Sequence, residues 1–151
     1  MVRILIVEDD SQIRDIIAKY LTRFNFEVVT AEDGVQALLI ARRAQPDVIL
    51  MDMGLPKLNG WQATQRLRAR QETAQLPIIA LTAYVMEDDR QRALSIGCND
   101  FEAKPIDFER LLTKIYALLA RSSAPSLAGD ERPTNIVMPS EETLRADRHL
   151  R

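Results

Sequence analysis

Short apolar runs alternate along the chain with longer segments in which apolar residues recur every three or four positions. The runs are VRILIV, FEVVT, DVILM, LPIIALT and CNDFEA. They are rich in β-branched residues and bounded by Asp, Pro, Gly or Asn, which reads as strands. Between them the spacing is helical. Ser11 is the expected N-cap of a first helix carrying Ile13, Ile16, Ile17, Tyr20, Leu21 and Phe24. Asp33 caps a second with Val35, Leu38 and Leu39, and a third with Trp61 and Leu67 starts after Asn59-Gly60. Glu87, Asp88 and Asp89 open a fourth, where the helix dipole favours acid, and Gly97 ends it. Asp107 caps a fifth, with Phe108, Leu111, Leu112, Ile115, Leu118 and Leu119 on one face.

The order is strand then helix, five times. Such alternation implies an α/β fold with a parallel sheet and helices on both faces. The first four runs are almost wholly apolar, as strands buried on both sides should be, and the fifth is polar enough for an edge. Right-handed crossovers then favour a doubly wound five-stranded parallel sheet of order 2-1-3-4-5. From Arg121 the pattern stops, so residues 1–121 are expected to form the domain and 122–151 a flexible tail. Its RSSAPSLAGDERP reads as linker, and PSEETLRADRHLR as a short polar helix capped by Ser140, with Glu141 and Arg145 at i,i+4. About thirty residues are too few for an output domain. There is no internal repeat and no helix-turn-helix.

Composition narrows the function. The 151 residues are 46% hydrophobic and 28% charged, as in one soluble globular domain. A formal net charge of -2 leaves no basic field for nucleic acid or anionic lipid. Cys98 is the lone cysteine, so no intrachain disulfide is available and a reducing cytoplasm is the expected location. No apolar run approaches the ~20 residues of a membrane span, and the N-terminus lacks a signal peptide's pattern. The single histidine, His149, is near the C-terminus, so the body of the chain has none for catalysis or phosphate transfer.

The acids are placed unusually. Glu8, Asp9 and Asp10 follow the first strand without a break. In a doubly wound sheet, ligands bind beyond the carboxyl ends of the strands, where strand order reverses. That point lies between the first and third strands, and the third ends in Asp52. The fourth ends in Thr82, and Lys104 follows the fifth. Acids that repel one another are stable together around a cation. Oxygen-only donors and an incomplete protein shell suit magnesium. A metal ion, a lysine, a hydroxyl and a carboxylate together describe a phosphoryl site. Taken singly these residues are ordinary: Asp10 is better read as a helix start, Thr82 as a strand end and Lys104 as a solvated edge lysine. Their joint placement is the signal. Cys98, Met51, Met53 and Met86 read as packing, and His149 as a solvated tail residue.

At these residues the sequence resembles the receiver domain of two-component response regulators. The resemblance runs from Val2 to about Arg121 and is carried by ILIVEDD, ILMDMGLPKLNG, IIALTA and EAKPI in combination. The run ALTAYVMEDDRQRALSIGCNDFEAKPID is similar to receivers of hybrid histidine kinases and to stand-alone receivers in phosphorelays. The resemblance implies a flavodoxin-like fold, with Asp52 as phosphoacceptor. It implies that Asp9, Asp52 and the Gly54 backbone carbonyl ligate Mg2+, with Glu8 reaching it through water. Lys104 and Thr82 would hold the phosphoryl group, Thr82 and Phe101 would switch, and Pro105 would follow a cis peptide bond. Gly54 and Tyr84 stand where the family tunes dephosphorylation.

The expected function is then a single-domain response regulator, catalysing only its own phosphorylation and dephosphorylation. It would take phosphoryl from a histidine kinase or histidine phosphotransfer protein, and signal to a protein partner through the fourth helix, fifth strand and last helix. Three rivals stand beside it. An aspartyl-nucleophile phosphohydrolase of the haloacid dehalogenase type would need an aspartate where Glu8 stands, with Asp10 as its second acid. A flavin or nucleotide module needs a glycine- or hydroxyl-rich loop where three acids stand. A receiver that binds partners without phosphorylation has no use for the intact acid, threonine and lysine set.

Overall fold

Each apolar run becomes a strand and each helical pattern a helix. The computed structural model describes residues 1–83 and 87–122, except for the side chains of 87–89 and 122. The elements are β1 (Arg3–Val7), α1 (Ser11–Arg23), β2 (Glu27–Ala31), α2 (Gly34–Ala44), β3 (Val48–Asp52), α3 (Gly60–Ala69), β4 (Ile78–Thr82), α4 (Glu87–Ser95), β5 (Asp100–Ala103) and α5 (Phe108–Ser122). The tail beyond Ser122, with its Ser140-capped helix and His149, lies outside the described residues, as do Tyr84 and Met86.

The sheet is parallel throughout, in the order β2-β1-β3-β4-β5, a flavodoxin-like arrangement. Successive side chains of each inner strand point to opposite faces, so each strand feeds two cores. Ile4, Ile6, Val48, Leu50, Ile79 and Leu81 meet α1 and α5 on one face. There Tyr20 sits between the rings of Phe24 and Phe108, with centroids 5.1 and 4.9 Å away. Leu5, Val7, Ile49, Met51, Ile78 and Ala80 meet α2, α3 and α4 on the other, largely through Ala37, Ala41, Ala63, Leu67 and Ala93. Met51, Met53 and Cys98 are buried in this second core.

Three details depart from the sequence reading. First, β2, at the edge where the order 2-1-3-4-5 places it, is only partly buried, although its FEVVT run is as apolar as the inner strands. Second, Asp10, as its reading as a helix start implies, caps α1 in place of Ser11. The Asp10 backbone is extended, and its carboxylate accepts the Gln12 and Ile13 amides at 2.9 and 3.2 Å. A charged acceptor facing the positive helix end outcompetes a hydroxyl one residue on. Third, Ile16, Val35 and Leu39 are exposed. Helix α2 presents Gly34, Ala37 and Ala41 inward instead. Small residues let it lie close to its neighbours, which turns the bulkier positions outward.

Asp33 and Asp107 cap their helices as expected, and α3 begins one residue earlier than the pattern places it, at Gly60, with Asn59 as its cap. Asp33 accepts the Gln36 amide at 2.8 Å, Asn59 and Gln62 form a reciprocal capping box, and Asp107 accepts the Arg110 amide at 3.1 Å. Gly97, at φ +114°, ends the α4 segment in a conformation that L side chains rarely adopt.

A Cβ on Gly34 would lie 2.0 Å from the Leu58 carbonyl oxygen, so α2 and the loop after β3 touch backbone to backbone. Gly34→Ala should therefore destabilise the fold by roughly 1–3 kcal/mol in urea unfolding. Val35→Ala at the exposed next position should stay within about 0.5 kcal/mol of wild type. Equal stability of the two variants would show that the loop yields freely.

Candidate functional site

The strand register assembles the site. Val7 pairs with Met51 across β1 and β3, so one step further Glu8 comes beside Asp52. Asp52 pairs with Leu81 across β3 and β4, which puts Thr82 one step beyond. Thr82 pairs with Ala103, and the Lys104 amide donates to the Thr82 carbonyl at 2.8 Å. Residues from four separate strand ends thus meet at one edge.

At that edge Lys104 Nζ donates to Glu8 Oε1 at 2.7 Å and lies 3.4 Å from Asp52 Oδ1. Glu8 is 1% exposed and Asp52 5%. The Gly54 amide donates to the same Asp52 oxygen at 3.1 Å, fixing that carboxylate. Asp9 is exposed, yet one oxygen each from Glu8, Asp9 and Asp52 lie within 4.8 Å of one another. Thr82 is buried at the end of β4, and the Lys104–Pro105 peptide bond is cis. A cleft of about 420 Å³ opens here, lined by Asp52, Met53, Gly54, Trp61, Thr82, Ala83, Arg92 and Lys104.

The electrostatics are those of too many acids for one lysine. Burial, then the hydrogen bond and charge of Asp52, push the Glu8 carboxyl up to about 7, against the pull of Lys104. Burial alone would lower Lys104, but its hydrogen bond to Glu8 and the charges of Asp52 and Glu8 prevail and raise it. The donor set is oxygen only and carries an excess of negative charge that a hard divalent cation would relieve. It fits magnesium by donor chemistry.

Asp10 is not part of this cluster, since its side chain caps α1. That removes the second acid that the hydrolase reading needed. Phe101, half-buried on the edge strand β5, is held from α5. Lys114 donates to its carbonyl oxygen, lies 6.0 Å from the centroid of its ring and pairs with buried Glu102 at 3.1 Å. Three other residues near the site stand outside the candidate site residues that the sequence pattern gives. Arg14 donates to the Glu8 carbonyl at 2.9 Å and lies 3.6 Å from Glu32, tying the loop after β1 to the loop after β2. Trp61 and Arg92 wall the cleft from α3 and α4.

Comparison with known proteins agrees with this geometry. The family model described as response regulator receiver domain matches residues 4–116. The chain is 39% identical over 120 residues to protein PilH of Pseudomonas aeruginosa, covering 80% of this chain and 99% of PilH. It is 38% identical over 122 residues to the DNA-binding dual master transcriptional regulator RpaA of Synechocystis sp., covering 81% of this chain and 51% of RpaA. The chain thus spans about half the length of the curated transcriptional regulators it matches. Among solved structures, the receiver domain of the sensor histidine kinase PA1611 from Pseudomonas aeruginosa PAO1 superposes with a TM-score of 0.73 at 37% identity. That match covers 78% of this chain and 97% of the other, which has a magnesium ion coordinated in its active site cleft. The chain belongs to the response regulator receiver domain family.

The raised Glu8 pKa has a definite sign. In the metal-free protein the folded state holds this proton more tightly than the unfolded chain, whose value is near 4.5. The associated stability is present below that pH and is lost as pH rises through about 7. Glu8→Gln mimics the protonated form. Between about pH 5 and 8, metal-free wild type should lose stability relative to Glu8→Gln in paired urea titrations. Parallel profiles would show that Glu8 titrates normally.

Proposed function

We propose that this domain accepts a phosphoryl group onto Asp52 from a phosphohistidine on a kinase or phosphotransfer protein. The observation that carries this reading is Lys104 Nζ bridging Glu8 and Asp52, with Asp9 in reach. A buried carboxylate with one oxygen already hydrogen-bonded is a positioned nucleophile. The Asp52 oxygen forms a bond to phosphorus, the phosphorus–nitrogen bond breaks, and its electron pair leaves on the imidazole. Asp52 then carries an acyl phosphate of about -2 charge in place of a carboxylate of -1. Lys104 faces the growing charge, and the Thr82 side chain lies at the same edge to meet a phosphoryl oxygen. Residues 4–116 contain no histidine, so the donor imidazole comes from outside this domain.

Asp9, Asp52 and the Gly54 carbonyl are the residues to hold Mg2+, with Glu8 behind them. Bound there, the ion would supply charge stabilisation to the phosphoryl oxygens during transfer.

Output follows from what the acyl phosphate asks of its neighbours. A hydrogen bond from Thr82 to a phosphoryl oxygen draws the end of β4 inward and alters the packing beside Phe101. The face formed by α4, β5 and α5 changes with it, and a protein partner reads that face. A preference of about tenfold for one state needs only ~1.4 kcal/mol of coupling.

Incubation with Mg2+ and a small phosphodonor should add one phosphoryl group to the intact mass. Asp52→Asn should abolish the gain, whereas continued labelling of that variant would remove Asp52 from the reading. Asp9→Ala should weaken Mg2+ binding at least tenfold, read by the fluorescence of Trp61 in the cleft wall. Unchanged affinity would take Asp9 out of the ligand set. Thr82→Ala should still be phosphorylated but should lose the amide NMR shifts at Phe101 that beryllofluoride induces in wild type. Retained shifts at Phe101 would mean that the switch runs by another route.

A further inference from the structure

Arg92 belongs to α4 and takes no part in the acid cluster. Its guanidinium carbon lies 4.4 Å from the Trp61 ring centroid, and both side chains line the cleft that holds Asp52, Thr82 and Lys104. Arg92 is exposed, and among the described residues no carboxylate pairs with it. The contrast with Lys104 is the point. Lys104 is already engaged by Glu8 and Asp52, while an incoming phosphodonor is itself an anion facing Glu8, Asp9 and Asp52. Arg92 is a second cation on the cleft wall, and its planar fork matches phosphoryl oxygens two at a time. A cation–π contact at an exposed site is weak, so the guanidinium can leave the ring at small cost.

We propose that Arg92, resting on Trp61, is a specificity-determining residue that captures the phosphoryl oxygens of dianionic phosphodonors at the mouth of the cleft. The inference rests on Asp52 being the acceptor. The competing account is that Arg92 merely covers Trp61, and the two differ in what they demand of donor charge. Acetyl phosphate presents a dianionic phosphoryl group at neutral pH. Its transfer forms the Asp52–phosphorus bond and breaks the phosphorus–oxygen bond, and acetate leaves with the electron pair. Phosphoramidate has the same phosphoryl oxygens beside a protonated nitrogen, so its net charge is one less negative and its ammonium repels the guanidinium. Its transfer breaks the phosphorus–nitrogen bond, and ammonia leaves with the electron pair.

The test measures Mg2+-dependent labelling rates of the full chain against donor concentration for wild type, Arg92→Gln and Arg92→Lys. With acetyl phosphate, Arg92→Gln should raise the half-saturating donor concentration roughly fivefold, the scale of an exposed charge pair, at an unchanged limiting rate. Arg92→Lys should recover most of the loss, and added salt should narrow the gap. With phosphoramidate the same substitution should have less than about a twofold effect. Equal slowing with both donors, or no change with either, overturns the assignment while leaving Asp52 as acceptor. Failure of wild type to label with either donor overturns the acceptor reading, and the Arg92 assignment with it.

Discussion

The structure turns on the ammonium of Lys104, held 2.7 Å from a Glu8 oxygen and 3.4 Å from an Asp52 oxygen. Buried ion pairs are poor sources of stability, because desolvation offsets much of their attraction, but removing one partner leaves an uncompensated charge. One lysine among three acids does not settle the account either. Glu8 keeps a proton to about 7 because burial and Asp52 outweigh Lys104. A fold selected for stability alone would replace this cluster with apolar residues. The tension is useful only if something charged enters the cleft.

The rest of the domain brings that cluster together and holds it. Parallel strands place all their carboxyl ends on one side, and the β1–β3 and β3–β4 registers align Glu8, Asp52 and Thr82 across neighbouring strands. The Gly54 amide then fixes the Asp52 carboxylate, and the Arg14 guanidinium fixes the Glu8 carbonyl, so each acidic loop is held by a bond between main chain and side chain. The surrounding helices are anchored unequally. Helix α5 buries Leu111, Leu112, Ile115, Leu118 and Leu119, whereas α4 reads EDDRQRALS and is tied to the second core through Ala93. A helix with so little buried apolar surface is easy to displace.

Strand order and the meeting of Glu8, Asp9, Asp52, Thr82 and Lys104 were legible in the sequence, because alternation fixes topology and topology fixes which ends converge. Less local features were not. Ser11 and Asp10 are both good caps, and the choice rests on which backbone is extended. Val35 and Leu39 look like a buried stripe until Ala37 and Ala41 bring α2 close to its neighbours. The composition of β2 hides its exposure, since FEVVT is as apolar as a central strand and only the strand order places it at an edge. The Arg92–Trp61 contact joins two helices far apart in the chain, and no spacing rule pairs them.

The central claim is that the acyl phosphate forms on Asp52 and nowhere else among the clustered acids. Borohydride reduces an aspartyl phosphate to homoserine, which marks the modified position chemically. Reduction of the labelled wild-type protein, followed by peptide sequencing, should reveal homoserine at position 52 alone. Homoserine at position 9 or 10 instead, or a reduced label absent from the peptide containing Asp52, would contradict the account.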